Sequence, residues 1–340
     1  MKKQKKWKQW GCIAILASAA LFGAGADAAN IGQNTAPIAS APRVSQASGP
    51  VMTAPRTPAF EDKRIEINLA SRLLTLYQGD VRIRLYPIAP GKPSSPTPQG
   101  RRTVVSLDKN PTWIDPDHPD VVVPSGPDNP LGYRWIDLGD TYGIHGTNSP
   151  WSIGNYASHG CVRMYEKDVE DLFDHIVKGI PVDIIYERVI VEKTPDNSVV
   201  YYIYPDGYGI EPLTAAKVRS KMEPFEADAF AEDADIESAI QASNGKPNFI
   251  AKVYPVYLGG IKMNFSAYEK NNEMYLPAMP LAEALGTHAE WSPTWKKLRT
   301  PYGQASGIEK GKSLYIRAID LPFLFGISGY ADGNGNFILH

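Results

Sequence analysis

Cysteine is nearly absent from this chain: 340 residues hold two, Cys12 and Cys161. A disulfide scaffold and a multi-cysteine metal cluster are thereby excluded. An excess of charge of one sign is missing too. The 35 Lys and Arg face 37 Asp and Glu, for a formal net charge of −2. With no basic excess to neutralise phosphates, a nucleic-acid partner is not expected. Long apolar runs are also lacking. The uncharged stretch from Gly11 to Ala26 falls short of the ~20 residues that span a bilayer comfortably. What is present is enough apolar content, 43%, to build real cores and exclude global disorder. The length predicts one to three domains.

Five lysines crowd the first ten residues (Lys2, Lys3, Lys5, Lys6 and Lys8), ahead of the uncharged stretch and an A-x-A pattern at Ala26-Asp27-Ala28. This is the three-part layout of a secretory signal peptide over residues 1–28, with a retained anchor as the alternative. Cleavage would leave 30 basic against 36 acidic side chains, a net charge of about −6. It would also leave Cys161 as the one thiol, in a compartment where stray thiols tend to be oxidised. Extracytoplasmic action, secreted or in the wall or periplasm, is expected, with no membrane span after cleavage. Residues 29–61 are rich in Ala, Pro, Ser, Thr and Gln and read as a disordered linker.

From Arg64 the pattern is that of strands. Ile65, Ile67 and Leu69 alternate, Leu74 and Leu76 follow, and Val81, Ile83 and Leu85 alternate again beyond Gln78-Gly79-Asp80, which predicts a β-meander. One helix is expected from Glu166 to Lys178, with Val169, Leu172, Phe173, Ile176 and Val177 on one face. Its acidic first turn suits the helix dipole, and Gly179 and Pro181 stop it. Residues 62–190 thus read as a β-rich domain, and 191–249 as a partly helical, polar bridge. In 250–340 a repeat occurs at an offset of 40: Tyr275/Tyr315, Ala278/Ala318, Leu281/Leu321 and Gly286/Gly326. Each copy reads as strand, short helix, glycine cap and strand. Asp332-Gly333-Asn334-Gly335-Asn336 starts like a calcium loop but continues with Phe337, so a hairpin turn is expected instead.

The chemistry concentrates between Ile144 and Met164, which hold His145, His159 and Cys161 within seventeen residues. A thiol nucleophile needs a nearby base, because free cysteine is mostly protonated at neutral pH. Imidazole has a suitable pKa and, once protonated, stabilises the thiolate. Gly146 and Gly160 allow close backbone approach, and their amides, with that of Cys161, are oxyanion-hole candidates. Zinc binding by His145, His159 and Cys161 lacks a fourth ligand at suitable spacing. A buried, inert Cys161 does not fit neighbours such as Gly160, Ser158 and His159. Ser158 either donates toward the thiolate or fixes the turn. Trp113, Trp135 and Trp151 either line a groove or pack in the core.

His145-Gly146-Thr147 and Ser158-His159-Gly160-Cys161-Val162-Arg163, with the twelve residues 146 to 157 between His145 and Ser158, resemble the signature of the L,D-transpeptidase (YkuD-like) catalytic domain. Thr97-Pro98-Gln99-Gly100 and Pro127-Asp128-Asn129-Pro130-Leu131-Gly132 resemble two further motifs of that family. The resemblance covers about residues 63–186. It implies a β-sandwich-like domain that acts, without cofactor or metal, on peptidoglycan stem peptides. Cys161 would be the nucleophile and His145 the general base, oriented by the Gly146 carbonyl. Ser158, His159 and Gly160 would shape the site and oxyanion hole, and Arg163 and Thr147 would bind substrate. A D-alanine would leave, a thioester would form, and a neighbouring stem amine would resolve it into a 3–3 cross-link in wall biogenesis. Carbapenems would acylate the same thiol. Water in place of the amine would make the protein an L,D-carboxypeptidase. A non-enzymatic wall-binding protein would have no need of His145 and Cys161.

The repeat region resembles the copper-amine-oxidase N-terminal-like domain of secreted bacterial proteins. Its histidines, His288 and His340, lack partners at ligand spacing, so no copper is expected. The whole reads as mainly β with α+β additions: a β-sandwich-like catalytic domain plus a small C-terminal α+β repeat domain. Its oligomeric state is not legible.

Overall fold

The computed structural model describes residues 62–115 and 118–340. The expected leader, 1–28, and linker, 29–61, lie outside the described residues. The first region opens with β1 (Lys63–Asn68), β2 (Leu73–Gln78) and β3 (Val81–Ala89). Then come β4 (Gly100–Thr103), β5 (Ser106–Lys109), the small hairpin β6 (Trp113–Ile114) and β7 (Val122–Val123), β8 (Arg134–Asp137) and β9 (Gly143–His145). β10 (Val162–Met164), α1 (Glu166–Asp174) and β11 (Pro181–Ile185) complete it. Nine strands join in the order β4-β11-β1-β2-β3-β10-β9-β8-β5. β3 links the two halves: residues 81–87 pair with β2, whereas Ile88 and Ala89 pair with β10. A single core takes side chains from both halves, among them Ile65 and Ile67 of β1, Ile136 of β8, Ile144 of β9, and Val162 and Met164 of β10. Two half-sheets closed over one core make the sandwich-like layer expected from the strand-rich pattern.

Two local expectations are corrected. The alternation Val81, Ile83, Leu85 is not kept toward the core: Ile83 packs against it, but Val81 is 65% and Leu85 45% exposed, and Tyr86 and Ile88 are buried instead. Consecutive residues Leu76 and Tyr77 of β2 face Arg84 and Arg82, which leaves Ile83 as an extra residue in β3, and such a bulge resets which face a strand presents. The helix α1 is also four residues shorter than predicted. It buries Val169, Leu172 and Phe173, each worth roughly 1.5–3 kcal/mol when removed from water. Its end is satisfied from outside the helix. Lys63 Nζ donates to the His175 carbonyl at 2.9 Å, and His175 Nδ1 to the Asp171 carbonyl at 2.6 Å, so last-turn carbonyls need no further helical N–H. Ile176 stays buried beyond the helix end.

The second region builds β12 (Val189–Lys193), β13 (Ser198–Ile203), α2 (Ala215–Ser220), α3 (Asp233–Ala242), β14 (Pro247–Leu258), β15 (Ile261–Lys270) and β16 (Glu273–Pro277). It continues with α4 (Ala278–Ala284), β17 (Glu290–Ser292), β18 (Lys297–Arg299), β19 (Gln304–Ser306), β20 (Ile308–Lys310), β21 (Ser313–Arg317), α5 (Leu321–Phe325), β22 (Gly329–Ala331) and β23 (Phe337–Leu339). The segment read as a bridge is therefore structured differently. β12 and β13 extend the sheet of β14–β16, and Val218, Met222, Phe230 and Ile236 pack on it in one core with Val199, Tyr201 and Val253. A few well-placed apolar side chains suffice to dock helices that are polar on average.

The repeat is realised as two copies of strand, short helix and left-handed glycine. Gly286 and Gly326 have φ of 61° and 68°. The first strands of the copies, β16 and β21, pair antiparallel with Leu276 opposite Ile316. Leu281 and Leu321 meet in one core. The 332–336 segment is the turn of the β22–β23 hairpin, with Asp332 Oδ1 accepting from the amides of Asn334 and Asn336. Among the described residues no helix is long and apolar enough to cross a membrane, and no cluster of three or more His, Cys, Asp or Glu side chains could hold a metal ion.

Candidate active site

The site follows from strand alternation. Ile144, Val162 and Met164 point into the core, so Gly143, His145 and Arg163 face the other way. β9 and β10 run parallel with His145 opposite Arg163, and β8 places Trp135 opposite His145 on its other side. Trp135 stacks on the imidazole, with centroids 5.7 Å apart and planes at 28°. Its ring also covers Gly143, where a Cβ would lie 2.5 Å from it. Cys161 stands just before β10. Its thiol donates to the Thr141 carbonyl at 3.7 Å and receives a hydrogen bond from the Gly143 amide. Arg163 is half-buried, and among the described residues no carboxylate pairs with it.

His145 is 5% exposed. Its Nδ1 lies 2.7 Å from the Gly146 carbonyl, and a carbonyl can only accept, so Nδ1 carries the hydrogen and the lone pair is on Nε2. Burial pushes the imidazole pKa down to about 4; the Gly146 contact opposes this, and the Arg163 charge adds to it. Burial also pushes the Cys161 thiol up, against the Gly143 amide and Arg163. The resting pair is therefore neutral thiol and neutral imidazole. Such a pair can begin chemistry by moving a proton from sulfur to nitrogen as the sulfur attacks.

The turn that carries Cys161 is fixed by Ser158, which is 2% exposed. Its hydroxyl donates to the Cys161 carbonyl and accepts from the Gly160 amide at 3.1 Å. Of the two readings of Ser158, the structure realises the turn, and it leaves the Gly160 amide already paired. Gly160 has a φ of 122°, open in practice to glycine alone. His159 is exposed, and its Nε2 accepts from Lys92 Nζ at 2.9 Å. Thr147 is buried, its hydroxyl accepting from the Ser149 amide at 3.0 Å. Of the other tryptophans, Trp151 is 77% exposed and Trp113 lies half-buried in β6.

Glu166 has a part that sequence reading missed, having taken it for a helix-dipole residue. Its carboxylate accepts from the Thr147 amide at 2.6 Å and the Tyr133 amide at 3.1 Å. It fills the space that side chains at positions 132 and 146 would need, since a Cβ on either glycine would lie within 2 Å of Oε1. Glu166 thereby ties the start of α1 to the end of β9, next to the carbonyl that orients His145. Burial raises its pKa, opposed by the two amides. Asn129 fixes the neighbouring loop. It is fully buried, donates to the carbonyls of Pro111, Val123 and Pro124, and accepts from the Leu131 amide. The only sequence signal for Glu166 was the pair of glycines at 132 and 146.

The L,D-transpeptidase catalytic domain family matches residues 62–184. A Bacillus licheniformis protein named as the L,D-transpeptidase YkuD is 37% identical over 130 residues, 38% of this chain and 69% of the relative. The chain belongs to the L,D-transpeptidase family. An Escherichia coli relative named as the L,D-transpeptidase ErfK/SrfK is 34% identical over 149 residues, 40% of this chain and 48% of its own. The match thus spans about half the length of that relative. The solved catalytic domain of an Enterococcus faecium L,D-transpeptidase aligns with 37% of this chain and 99% of its own, at 28% identity and a TM-score of 0.31. Within this L,D-transpeptidase the domain is that of a cysteine-dependent acyltransferase.

Proposed function

We propose that this protein cross-links peptidoglycan by L,D-transpeptidation, with Cys161 as nucleophile and His145 as general base. One observation carries the reading: His145 is held through Nδ1 by the Gly146 carbonyl, on a strand that lies directly beside the one Cys161 leads into. Nε2 takes the thiol proton as sulfur attacks the carbonyl between the third and fourth stem residues. The Cys161 amide faces the developing oxyanion, with His159 and Gly160 shaping the turn. The carbon–nitrogen bond breaks, the departing D-alanine amine takes the proton from His145, and a thioester remains. An amine of a neighbouring stem attacks it, passes its proton to His145, and expels the thiolate, which regains that proton. The product is a 3–3 cross-link. Arg163, half-buried and without a carboxylate partner among the described residues, binds the anionic end of the substrate, and Thr147 serves through its amide contact with Glu166. No cofactor or ATP is needed, which suits export through the signal-like residues 1–28 and action outside the cytoplasmic membrane. The paired repeat, similar to the copper-amine-oxidase N-terminal-like domain, serves as spacer or wall-interaction module.

The test is incubation with disaccharide-tetrapeptide and mass spectrometry of the products. Loss of D-alanine with dimer formation is expected. Loss without dimer would make the protein a carboxypeptidase, and activity surviving Cys161→Ala would sink both readings. A carbapenem should add mass to the Cys161 peptide alone.

A further inference from the structure

The loop 204–211 follows β13 in the second region, yet it contacts Gly91, Thr97 and Tyr156 of the first, on the approach to the turn that presents the nucleophile. Tyr208 OH donates to the Gly91 carbonyl at 2.9 Å and accepts from the Thr97 amide at 3.3 Å. Its ring stacks on Tyr186 at 5.2 Å and packs on Tyr156 at 4.9 Å. Tyr156 belongs to the segment between His145 and Cys161. Gly207 lies so close to it that a Cβ there would sit 2.0 Å from the Tyr156 ring. The loop is itself well tied. Tyr186 OH donates to Asp206 Oδ1 at 2.7 Å and accepts from the Tyr208 amide at 3.0 Å. The Asp206 carboxylate also accepts from the amides of Ile210 and Glu211.

The far side of Gly91 leads to the site. Gly91 bridges Ser158 in parallel, the Lys92 amide donates to the Ser158 carbonyl at 2.9 Å, and the Ser158 amide donates to the Pro90 carbonyl at 3.1 Å. Thr97 Oγ1 accepts from the Gly91 amide at 2.9 Å, and Ser95 Oγ donates to the His159 carbonyl at 2.9 Å. Ser158 in turn holds the Cys161 carbonyl. An unbroken line of hydrogen bonds therefore runs from Tyr208 through residues 91–97 to the nucleophile turn.

We infer that the 204–211 loop is a strap from the second region that sets the position of the Cys161 turn, with Tyr208 as its positioning residue. The inference rests on the transpeptidase reading of that site. Tyr208 touches neither the thiol nor the imidazole; it acts through residues 91–97. Acylation demands that the thiol, the base and the oxyanion donors be aligned together. Alkylation by a small reagent demands only an accessible thiolate.

The experiment uses the full chain and two rates at one pH: acylation of Cys161 by a carbapenem, and alkylation by iodoacetamide, both read by mass spectrometry. Tyr208→Phe keeps the ring stacks and loses both hydroxyl hydrogen bonds. Carbapenem acylation should fall about fivefold, the equivalent of one hydrogen bond, while alkylation is unchanged. Tyr186→Phe, which frees the strap at its other end, should shift the same ratio in the same direction. A lowered melting temperature with both rates at wild-type values would make Tyr208 a stabilising contact only and overturn the inference. Equal loss in both rates would also overturn it, because the thiol's own state would then have changed. Wild-type protein that neither takes the carbapenem nor converts tetrapeptide would sink the transpeptidase reading and the strap with it. An active wild type matched by both variants would sink the strap alone.

Discussion

The catalytic region, residues 62–186, and the repeat region, residues 273–331, bury very different side chains. Among the described residues, ten of the twelve buried polar side chains lie in the first, and Thr300 alone lies in the second. Burying a polar group costs free energy unless it is hydrogen-bonded, and a core gains nothing by including one for packing alone. The repeat region shows the cheaper construction: Leu276, Leu281, Ile316, Leu321 and Leu324 meet as plain apolar contacts. The catalytic region instead pairs Thr97, Asn129, Thr147 and Ser158 with backbone in the loops next to the strand that carries His145 and the turn that carries Cys161. At these four residues buried polarity holds geometry beside the site, which plain apolar packing would not do.

The largest expected break in that contrast is His145→Gln. It removes the base and should lower carbapenem acylation and tetrapeptide turnover by roughly 10²–10⁴-fold. It has a second, pH-dependent signature. The folded imidazole lies at about 4, below the ~6.5 of the unfolded chain. Between those values the unfolded state binds the proton and the folded state does not. Stability therefore rises with pH across this window and is lost as pH falls from 6.5 to 4, by roughly 3 kcal/mol in all. Denaturant titrations at pH 7 and pH 4 should show a smaller drop for His145→Gln than for wild type, and an equal drop would refute the buried neutral imidazole. The acid limb of the acylation rate should likewise lie well below the range of a free histidine.

Glu166→Gln should come next. The substitution keeps shape and volume but offers one acceptor oxygen where two amides, those of Thr147 and Tyr133, now donate. One buried N–H is left facing an NH₂ group, a loss of about 1–3 kcal/mol, and the end of β9 moves with it. Acylation should fall about tenfold, and the loss should appear as reduced stability in urea as well. Unchanged acylation in a destabilised variant would confine Glu166 to a structural part.

These residues differ in how far the sequence exposes them. His145 and Cys161 were legible because their chemistry is written in residue types close together in the chain. The strand-rich fold and the two repeat copies were legible because period and spacing are local properties. Glu166 was hidden because its meaning depends on Gly132, 34 positions away, and no local pattern reports a carboxylate filling two glycines' space. The inward face of β3 was misjudged because its own extra residue, Ile83, resets the phase along the strand. The end of α1 was misplaced because Lys63, brought in by β1, satisfies its last carbonyl. Residues 191–249 looked like a bridge because a docking surface as small as that around Phe230 scarcely alters an otherwise polar composition.

The smallest expected effect on catalysis sharpens the comparison from the other side. Leu321 is fully buried in the repeat region, one of the residues that recur in both copies. Leu321→Ala removes apolar contacts and leaves a cavity, at a cost of about 2–5 kcal/mol. If the repeat region serves packing alone, the folded fraction of this variant should acylate at the wild-type rate while its unfolding midpoint falls. The contrast with Glu166→Gln is then direct, because the milder stability loss should carry the larger catalytic loss. A fall in acylation for Leu321→Ala, measured per folded molecule, would mean that strain in the repeat region reaches the site. In that case the two regions would be coupled mechanically and not only joined along the chain, and the division between holding geometry and holding stability would have to be redrawn.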